Sequence, residues 1–512
     1  MDRDLGVTVR EIERKYEAAD PARTAGLPDL SRAAPVARVV DRGTAGLDAI
    51  YYDTADRRLH AAGITLRRRT GGHDAGWHLK LPVAPGVRDE VRAPLTVGIP
   101  RPIAALVRSR TRGARLVPLM RITSQRETRH LLDADGTLLA EVSADSVTAD
   151  RPGAARAATA AWTEVEVELA DGADPGLLDA LEPHLHEAGL RPSTAKSKLA
   201  RALAETGHDG DAPAAPEPAP APADSGGHVL AHLREQVEAI VTLDPGARRG
   251  TEDAVHRMRV ATRRLRSAFR TYRKVLDRRV TDPLGDELKW LAAELGVERD
   301  REVLTDRLRE RLDELPRPLV RGPVRARLRI WSNRNRVEAR RRLATVLDSR
   351  RYLTLLDRLD ALVTDPPLRP AAARPPDKVL AQAVRRDYER LAARVRHALD
   401  TEPGAARDTA LHDARKAAKR ARYAAEAAEP ALGKAAKRLA KRMKAVQTVL
   451  GDHQDSVLLR DTLRTITAQA EGAGEATFTY GLLYGREEAR AAEDERALEG
   501  AWERAAGVGA GV

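Results

Sequence analysis

A chain of 512 residues is long enough for two or three domains with their own cores, and its net charge of +12 favours polyanionic partners. The absence of cysteine excludes a disulfide framework, a thiolate metal site and a cysteine nucleophile. With 2 Phe, 9 Tyr and 5 Trp, the chain has few platforms on which bases could stack, which argues against nucleic acid and for phosphate-rich ligands without bases.

The N-terminal stretch MDRDLGVTVREIE has no apolar targeting core, and no uninterrupted apolar run reaches membrane-spanning length. A soluble cytoplasmic protein with no membrane partner is expected. The next segment, VREIERKYEA, carries Glu11, Glu13 and Lys15 at alternate positions, on one face of a strand. Short alternating runs continue. LRRR sets Arg67 and Arg69 on one face, WHLKLP adds Lys80, and RDEVR carries Arg88, Glu90 and Arg92. EVSAD aligns Glu141 with Asp145, and EVEVE aligns Glu164, Glu166 and Glu168, with Val165 and Val167 opposite. STAKSKLARAL follows with Lys196 and Lys198, and the pairs Gly71-Gly72 and Asp135-Gly136 signal turns. Residues 1–206 therefore read as an antiparallel β domain.

One strand of alternating charge is ordinarily the wet face of a half-buried sheet. Charge of mixed sign on most strands is different, because an open sheet gains little from so many facing ionic rows. A closed barrel with a charged interior needs an ionic ligand to balance it. Clustered acids suggest Mg²⁺ or Mn²⁺, and clustered Arg and Lys suggest the phosphates that such ions bridge.

Residues 207–227 are rich in Pro and Ala and nearly free of large apolar side chains, which predicts an extended spacer. Beyond it, residues 228–505 show helical periodicity, as in AVHRMRVATRRLRSAFRTYRKVL. This part repeats itself. VHRMRVATRRLR resembles LHDARKAAKRAR, and LAAELGVERDREVL resembles VQTVLGDHQDSVLL; His256 matches His412, Arg259 matches Arg415, Gly296 matches Gly451 and Asp300 matches Asp455. The offsets are 156 and 155 residues, as a duplicated helical unit requires. A Pro-rich stretch at 364–376 separates halves of about 228–363 and 377–505. In the first copy His256, Arg259, Arg263, Arg266 and Arg270 form one helical stripe; in the second, His412, Arg415, Lys419 and Arg422 do. Lys434, Lys437, Lys441 and Lys444 share a further face. Any one of these stripes reads equally as a solvated surface, but twofold repetition with few acids inside points to an anion. Neither histidine has a second His or carboxylate at i+4, so a phosphate-facing or structural role is expected of both. Asp300 and Asp455 are expected to cap or orient basic side chains. Arg299 of the first copy falls where the second has Gln454, so the halves need not bind equally.

EIERK fits the ExExK signature of the CYTH superfamily, the triphosphate tunnel metalloenzymes, and YYDTADRRLHAAGITLRRR, WHLKLP, EVEVEL and SKLARAL follow in that family's order. The resemblance covers about residues 5–205. It implies an eight-stranded antiparallel β tunnel that binds triphosphate with Mg²⁺ or Mn²⁺. Glu11, Glu13, Glu166 and Glu168 would serve the metal, with Glu164 and Asp145 open as further ligands. Lys15, Arg67, Arg69, Lys80, Arg126 and Lys198 would hold phosphate oxygens. The second half resembles the CHAD domain over about residues 228–505, which implies two pseudo-symmetric four-helix bundles around a basic channel for inorganic polyphosphate. The whole is expected to be an α+β multidomain protein of bacterial type.

The leading functional expectation is metal-dependent hydrolysis of inorganic triphosphate or short polyphosphate, tethered to polyphosphate binding through the two stripes with Lys437, Lys441 and Lys444. The alternatives are a non-catalytic polyphosphate-binding protein targeted to granules, nucleic-acid binding by the basic helices, and an adenylate cyclase, though no residue marks an adenine pocket.

Overall fold

Alternation over short segments becomes a closed antiparallel barrel in the computed structural model, which describes residues 8–18, 27–151, 159–207 and 222–509; side chains at 298–302, 332–337 and 508–509 lie outside the description. The strands are β1 (Thr8–Ala18), β2 (Arg38–Asp53), β3 (Thr65–Thr70), β4 (Gly76–Ala84), β5 (Val87–Ala93), β6 (Val117–Leu132), β7 (Leu138–Asp150), β8 (Thr159–Leu169) and the short β9 (Leu190–Pro192). They run β5-β4-β3-β2-β6-β7-β8-β1, and pairing of β1 with β5 closes the ring at Glu11 opposite Arg88. β9 adds to the far end of β1. The turn after β3 requires glycine at Gly71, which has φ +79° and where a Cβ would lie 2.1 Å from the Gly46 carbonyl oxygen.

The barrel buries apolar side chains on its outside. Helices α1 (Arg58–Ala61) and α2 (Arg101–Leu106), the latter followed by the short α3 (Arg108–Thr111), join Leu66, Trp77, Leu79 and Val91 of β3–β5 in one cluster, α1 through Leu59 and α2 through Ile103 and Leu106. Helix α4 (Gly176–Glu187) joins Tyr16, Val142, Val165 and Val167 in another through Leu177, Leu181 and Leu185. Each such side chain contributes about 1.5–3 kcal/mol on full burial. The inside is apolar at one end only. There Tyr51, Met120, Ile122, Val147 and Trp162 meet Leu199, Ala202 and Leu203 of α5 (Lys198–Glu205). The amphipathic α5 thus plugs the barrel, and its first residue, Lys198, is delivered to the charged interior.

The chain divides into two compact units at Pro218/Ala219. Most of the expected spacer, residues 208–221, lies outside the described residues. The helical unit begins at Ser225, where Asp224 accepts a hydrogen bond from the Gly227 amide as N-cap, so the last three spacer positions are helical. The helices are α6 (Ser225–Arg249), α7 (Ala254–Thr271), α8 (Arg278–Glu294), α9 (Gly296–Asp313), α10 (Val324–Asp348), α11 (Arg350–Thr364), α12 (Pro376–Asp400), α13 (Ala405–Leu432), α14 (Lys434–Gly472) and α15 (Phe478–Gly509). The repeat is visible in their order: α6 and α7 correspond to α12 and α13, and the broken pair α8–α9 corresponds to the continuous α14. The cores do not follow the sequence halves. One core joins α6–α8, the end of α10, α11–α13, the start of α14 and the end of α15, while a smaller one joins α9 and the start of α10 to the end of α14 and the start of α15. Helix α13 lies within the larger core behind Ala414, Ala417, Ala418, Ala421, Ala425 and Ala428, whose small side chains permit close helix approach.

Candidate active site and basic groove

The inward positions of the strands enclose a cavity of about 310 Å³. Glu11, Glu13, Lys15, Arg67, Arg69, Lys80, Arg126, Glu166, Glu168 and Lys198 all line it. The carboxylates form a row across three adjacent strands, since Glu168 of β8 lies beside Glu13 of β1 and Glu141 of β7. In the strand order β8 falls across the ring from β3, which carries Arg67 and Arg69. An acidic wall therefore faces a basic one.

Ion pairs hold most of these groups. Lys80 Nζ lies 2.7 Å from Glu11 Oε2, and Lys15 contacts Glu166 and, at 3.3 Å, Glu13. Arg126 donates to Asp145 at 2.6 and 2.9 Å and to Glu166 at 2.9 Å. Burial would raise the Glu13 carboxyl, but Lys15 and Lys80 bring it down to about 2. Among the described residues Glu168 has no such ion-pair partner: burial and the charges of Glu11, Glu13 and Glu166, opposed by Lys80, push it up to about 7. Arg69 falls to about 9 through burial and the neighbouring Arg67 and Arg126. Acids crowded around Glu168 and guanidinium groups crowded around Arg69 are complementary to a cation bound to a polyanion.

Asp145 and Glu164 stand apart from the cavity lining. With Glu166 they form a tight carboxylate cluster, but the Lys198 ammonium already sits among them, at 3.0 Å from Asp145, 2.5 Å from Glu164 and 2.8 Å from Glu166. Trp162 donates to the second Glu164 oxygen at 2.9 Å. The cation among these acids in the structure is the lysine ammonium.

The sequence assigns no site role to four further residues, although Glu90 reads there as part of a charged strand face. Glu90, buried on β5, gathers Arg92, Arg67 at 3.8 Å and Lys80 at 3.9 Å. His78 bridges Glu90 at 2.9 Å and the Asp74 carbonyl at 2.9 Å, and burial lowers it to about 4, so it is neutral at pH 7. Tyr51 accepts from Arg67 at 3.3 Å, and Asp74 pairs with Arg69. The alternation of Arg88, Glu90 and Arg92 was the available signal for Glu90.

In the helical unit α7 packs against α13, which brings the two stripes together. A groove of about 440 Å³ is lined by Arg263, Arg266, Arg270 and Lys289 from one half and Lys416, Lys419 and Arg420 from the other. Among the described residues, Arg263, Arg266, Lys289 and Lys419 have no salt-bridge partner. Burial, with Arg263, Arg415 and Arg259 around it, lowers Lys419 to about 6; Asp455 opposes them. Asp455 pairs with Arg307 at 2.8 Å and lies 3.7 Å from Arg415, whereas the side chains of Arg299 and Asp300 lie outside the described residues. His412 bonds Gln454, and His256 is exposed.

Of the predicted residues, His256, Arg259, His412 and Arg415 are absent from the groove lining, and so are Arg422 and the α14 lysines. Arg422 turns to Glu426 at 3.2 Å and stacks 4.9 Å from the Tyr423 ring centroid. Lys437, Lys441 and Lys444 are exposed on α14 and absent from the groove lining. The glycine matches have a packing reason, because Arg259 lies over Gly296 and Arg415 over Gly451. A Cβ at Gly451 would meet Arg415 Nη2 at 3.6 Å, an ordinary contact. Gly451→Ala, inside a continuous helix, is therefore expected to stabilise the fold by about 1 kcal/mol with groove binding preserved, as read by denaturant melts and polyphosphate titration.

Family models match this chain twice: the CYTH domain over residues 9–203 and the CHAD domain over residues 231–464. The chain belongs to the proteins that join a CYTH to a CHAD domain. A relative from Mycobacterium tuberculosis (strain ATCC 25618 / H37Rv), "Uncharacterized protein Rv2226", is 41% identical over 505 residues, covering 96% of this chain and 95% of its own length. Among solved structures, the CHAD domain from the plant Ricinus communis is 27% identical, with TM-score 0.46, over 55% of this chain and 92% of its own. PptA from Streptomyces chartreusis is 21% identical, with TM-score 0.46, over 55% of this chain and 99% of its own. CYTH proteins are typically triphosphate-tunnel enzymes, triphosphatases and cyclases among them, that depend on Mg²⁺ or Mn²⁺. Among the described residues, no helix is long and apolar enough to cross a membrane.

Proposed function

We propose that the barrel hydrolyses inorganic triphosphate or short polyphosphate and that the helical unit binds inorganic polyphosphate. One observation carries the first part: the closed interior sets a carboxylate row, Glu13, Glu168 and Glu141, across from a guanidinium wall, with acids crowded around Glu168. A divalent ion fits this donor set, because hard carboxylate oxygens without full counter-charge are what Mg²⁺ and Mn²⁺ take. Glu13 and Glu168 would hold it, with Glu11 and Glu141 beside them, and it would supply charge neutralisation and a polarised water. The chain's own groups do the rest. Arg67, Arg69 and Arg126 grip the phosphate oxygens, Lys15 and Lys80 balance charge that builds on the transferred and leaving groups, and the α5 plug fixes how far a linear substrate enters. Asp145 and Glu164 keep Lys198 and Arg126 in place.

The uncompensated groove carries the second part. A polyanion across Arg263, Arg266, Lys289 and Lys419 supplies the missing counter-charge and raises Lys419 from about 6, so binding takes up a proton above that pH. Lys419 is charged below pH 6 and neutral above it when free, so affinity is expected to be highest near pH 5.5–6 and to fall as pH rises, by at most about tenfold per unit. Lys419→Met should flatten this profile in polyphosphate titrations run from pH 5.5 to 8.5.

Tripolyphosphate, thiamine triphosphate, ATP and long-chain polyphosphate, each assayed with Mg²⁺ and with Mn²⁺, test the substrate assignment. Release of pyrophosphate and cyclic nucleotide from ATP in place of orthophosphate would move the reading to a cyclase. Binding without turnover of any of them would make the chain a polyphosphate-binding protein suited to granules.

A further inference from the structure

We infer that the C-terminal half of the helical unit holds its own divalent transition-metal site, built by Asp408 of α13, His453 of α14 and Glu495 of α15. His453 is 3% exposed, and its Nε2 is buried without a hydrogen-bond partner. That atom faces two carboxylate oxygens, Asp408 Oδ1 at 3.3 Å and Glu495 Oε1 at 3.4 Å, and all three atoms lie within 4.8 Å of one another. These separations exceed the ~2.7–3.2 Å of an N–H···O bond. They match the ~3.3–3.4 Å edge of a tetrahedron whose ligands stand ~2.0–2.1 Å from a central zinc ion.

The outer oxygens are already committed. Arg407 donates to Glu495 Oε2 at 2.9 Å and Arg460 to Asp408 Oδ2 at 3.2 Å. Each carboxylate therefore turns one oxygen to an arginine and the other to the imidazole, an arrangement in which the arginines hold the ligand oxygens in place. The Asp408 and Glu495 side chains, 26% and 22% exposed, leave an entry path. One imidazole with two carboxylates suits Zn²⁺ better than Mg²⁺, which prefers six oxygens. By the repeat offsets, the first half carries Glu252 and Glu298 where the second has Asp408 and His453, so one ion per chain is expected. Bound there, the ion would tie α13, α14 and α15 together.

The test is calorimetric titration of chelator-stripped full-length chain with Zn²⁺ in excess Mg²⁺, repeated with Glu13→Gln to remove a contribution from the barrel. One tight equivalent is expected in both chains. His453→Asn and Glu495→Gln should each lose it, and Arg460→Gln should weaken it by ~10–100-fold. Uptake of no equivalent by the unsubstituted chain overturns the site. Circular dichroism checks the fold of each variant; if His453→Asn fails to fold, the near-isosteric Glu495→Gln decides, and its keeping the equivalent overturns the site.

Discussion

Glu13→Gln is expected to leave the barrel folded and to lower metal-dependent phosphate release by at least ~10²–10³-fold, the usual loss when a preorganised electrostatic interaction is removed. Glu13 is buried, pairs with Lys15 at 3.3 Å, and adjoins Glu168 across the β1–β8 pair. The amide keeps the volume but removes a charge held fully ionised at pH 7, with its pKa brought down to about 2. It also leaves Lys15 with Glu166, so the lysine is not stranded. Steady-state orthophosphate release with Mn²⁺ titrated to saturation, with thermal melts as the fold control, reads the result. Turnover within a few-fold of the unsubstituted chain would remove Glu13 from the metal site.

The second large effect is expected in the groove. Arg263→Ala with Arg266→Ala should weaken long-chain polyphosphate binding strongly and reduce the slope of log affinity against log salt by roughly 1 for each phosphate that is no longer neutralised. Lys419→Ala, from the other half, should act in the same direction, and the triple change should bind more weakly than either. Lys437→Ala with Lys441→Ala is the internal control. These residues carry the same charge at good helical spacing, but they are exposed and away from the groove, so little change is expected. Orthophosphate should compete poorly, being too short to span both stripes. Equal losses from the groove and control pairs would reduce the groove to a generic basic surface.

The contrast between these pairs shows what a sequence can and cannot carry. Period-two alternation identifies Glu11, Glu13, Lys15, Arg67, Arg69, Glu166 and Glu168 as sharing faces, and mixed charge on those faces requires a closed interior; both readings rest on local geometry. Helical period likewise groups Arg263 with Arg266 and Lys437 with Lys441. It says nothing of which face meets a neighbouring helix, and that is where the two groups diverge. Lys289 and Arg420 reach the groove from α8 and α13 without belonging to either stripe, because the packing of α7 against α13 is a long-range event. His78 reads in sequence as one residue of WHLKLP; its role depends on Glu90, which pairs with it only across β4 and β5. Asp145 and Glu164 read as metal ligands because acids aligned on a strand suggest cations. The cation among them is Lys198, delivered by a helix whose insertion into the barrel end leaves no local mark beyond its amphipathic pattern.

The most direct test of the account is orthophosphate release from tripolyphosphate by the full-length chain, measured with and without Mg²⁺ or Mn²⁺. Metal-dependent release that stops on chelation is the predicted result. No release with either ion, from a chain that still binds long-chain polyphosphate, would contradict a catalytic tunnel.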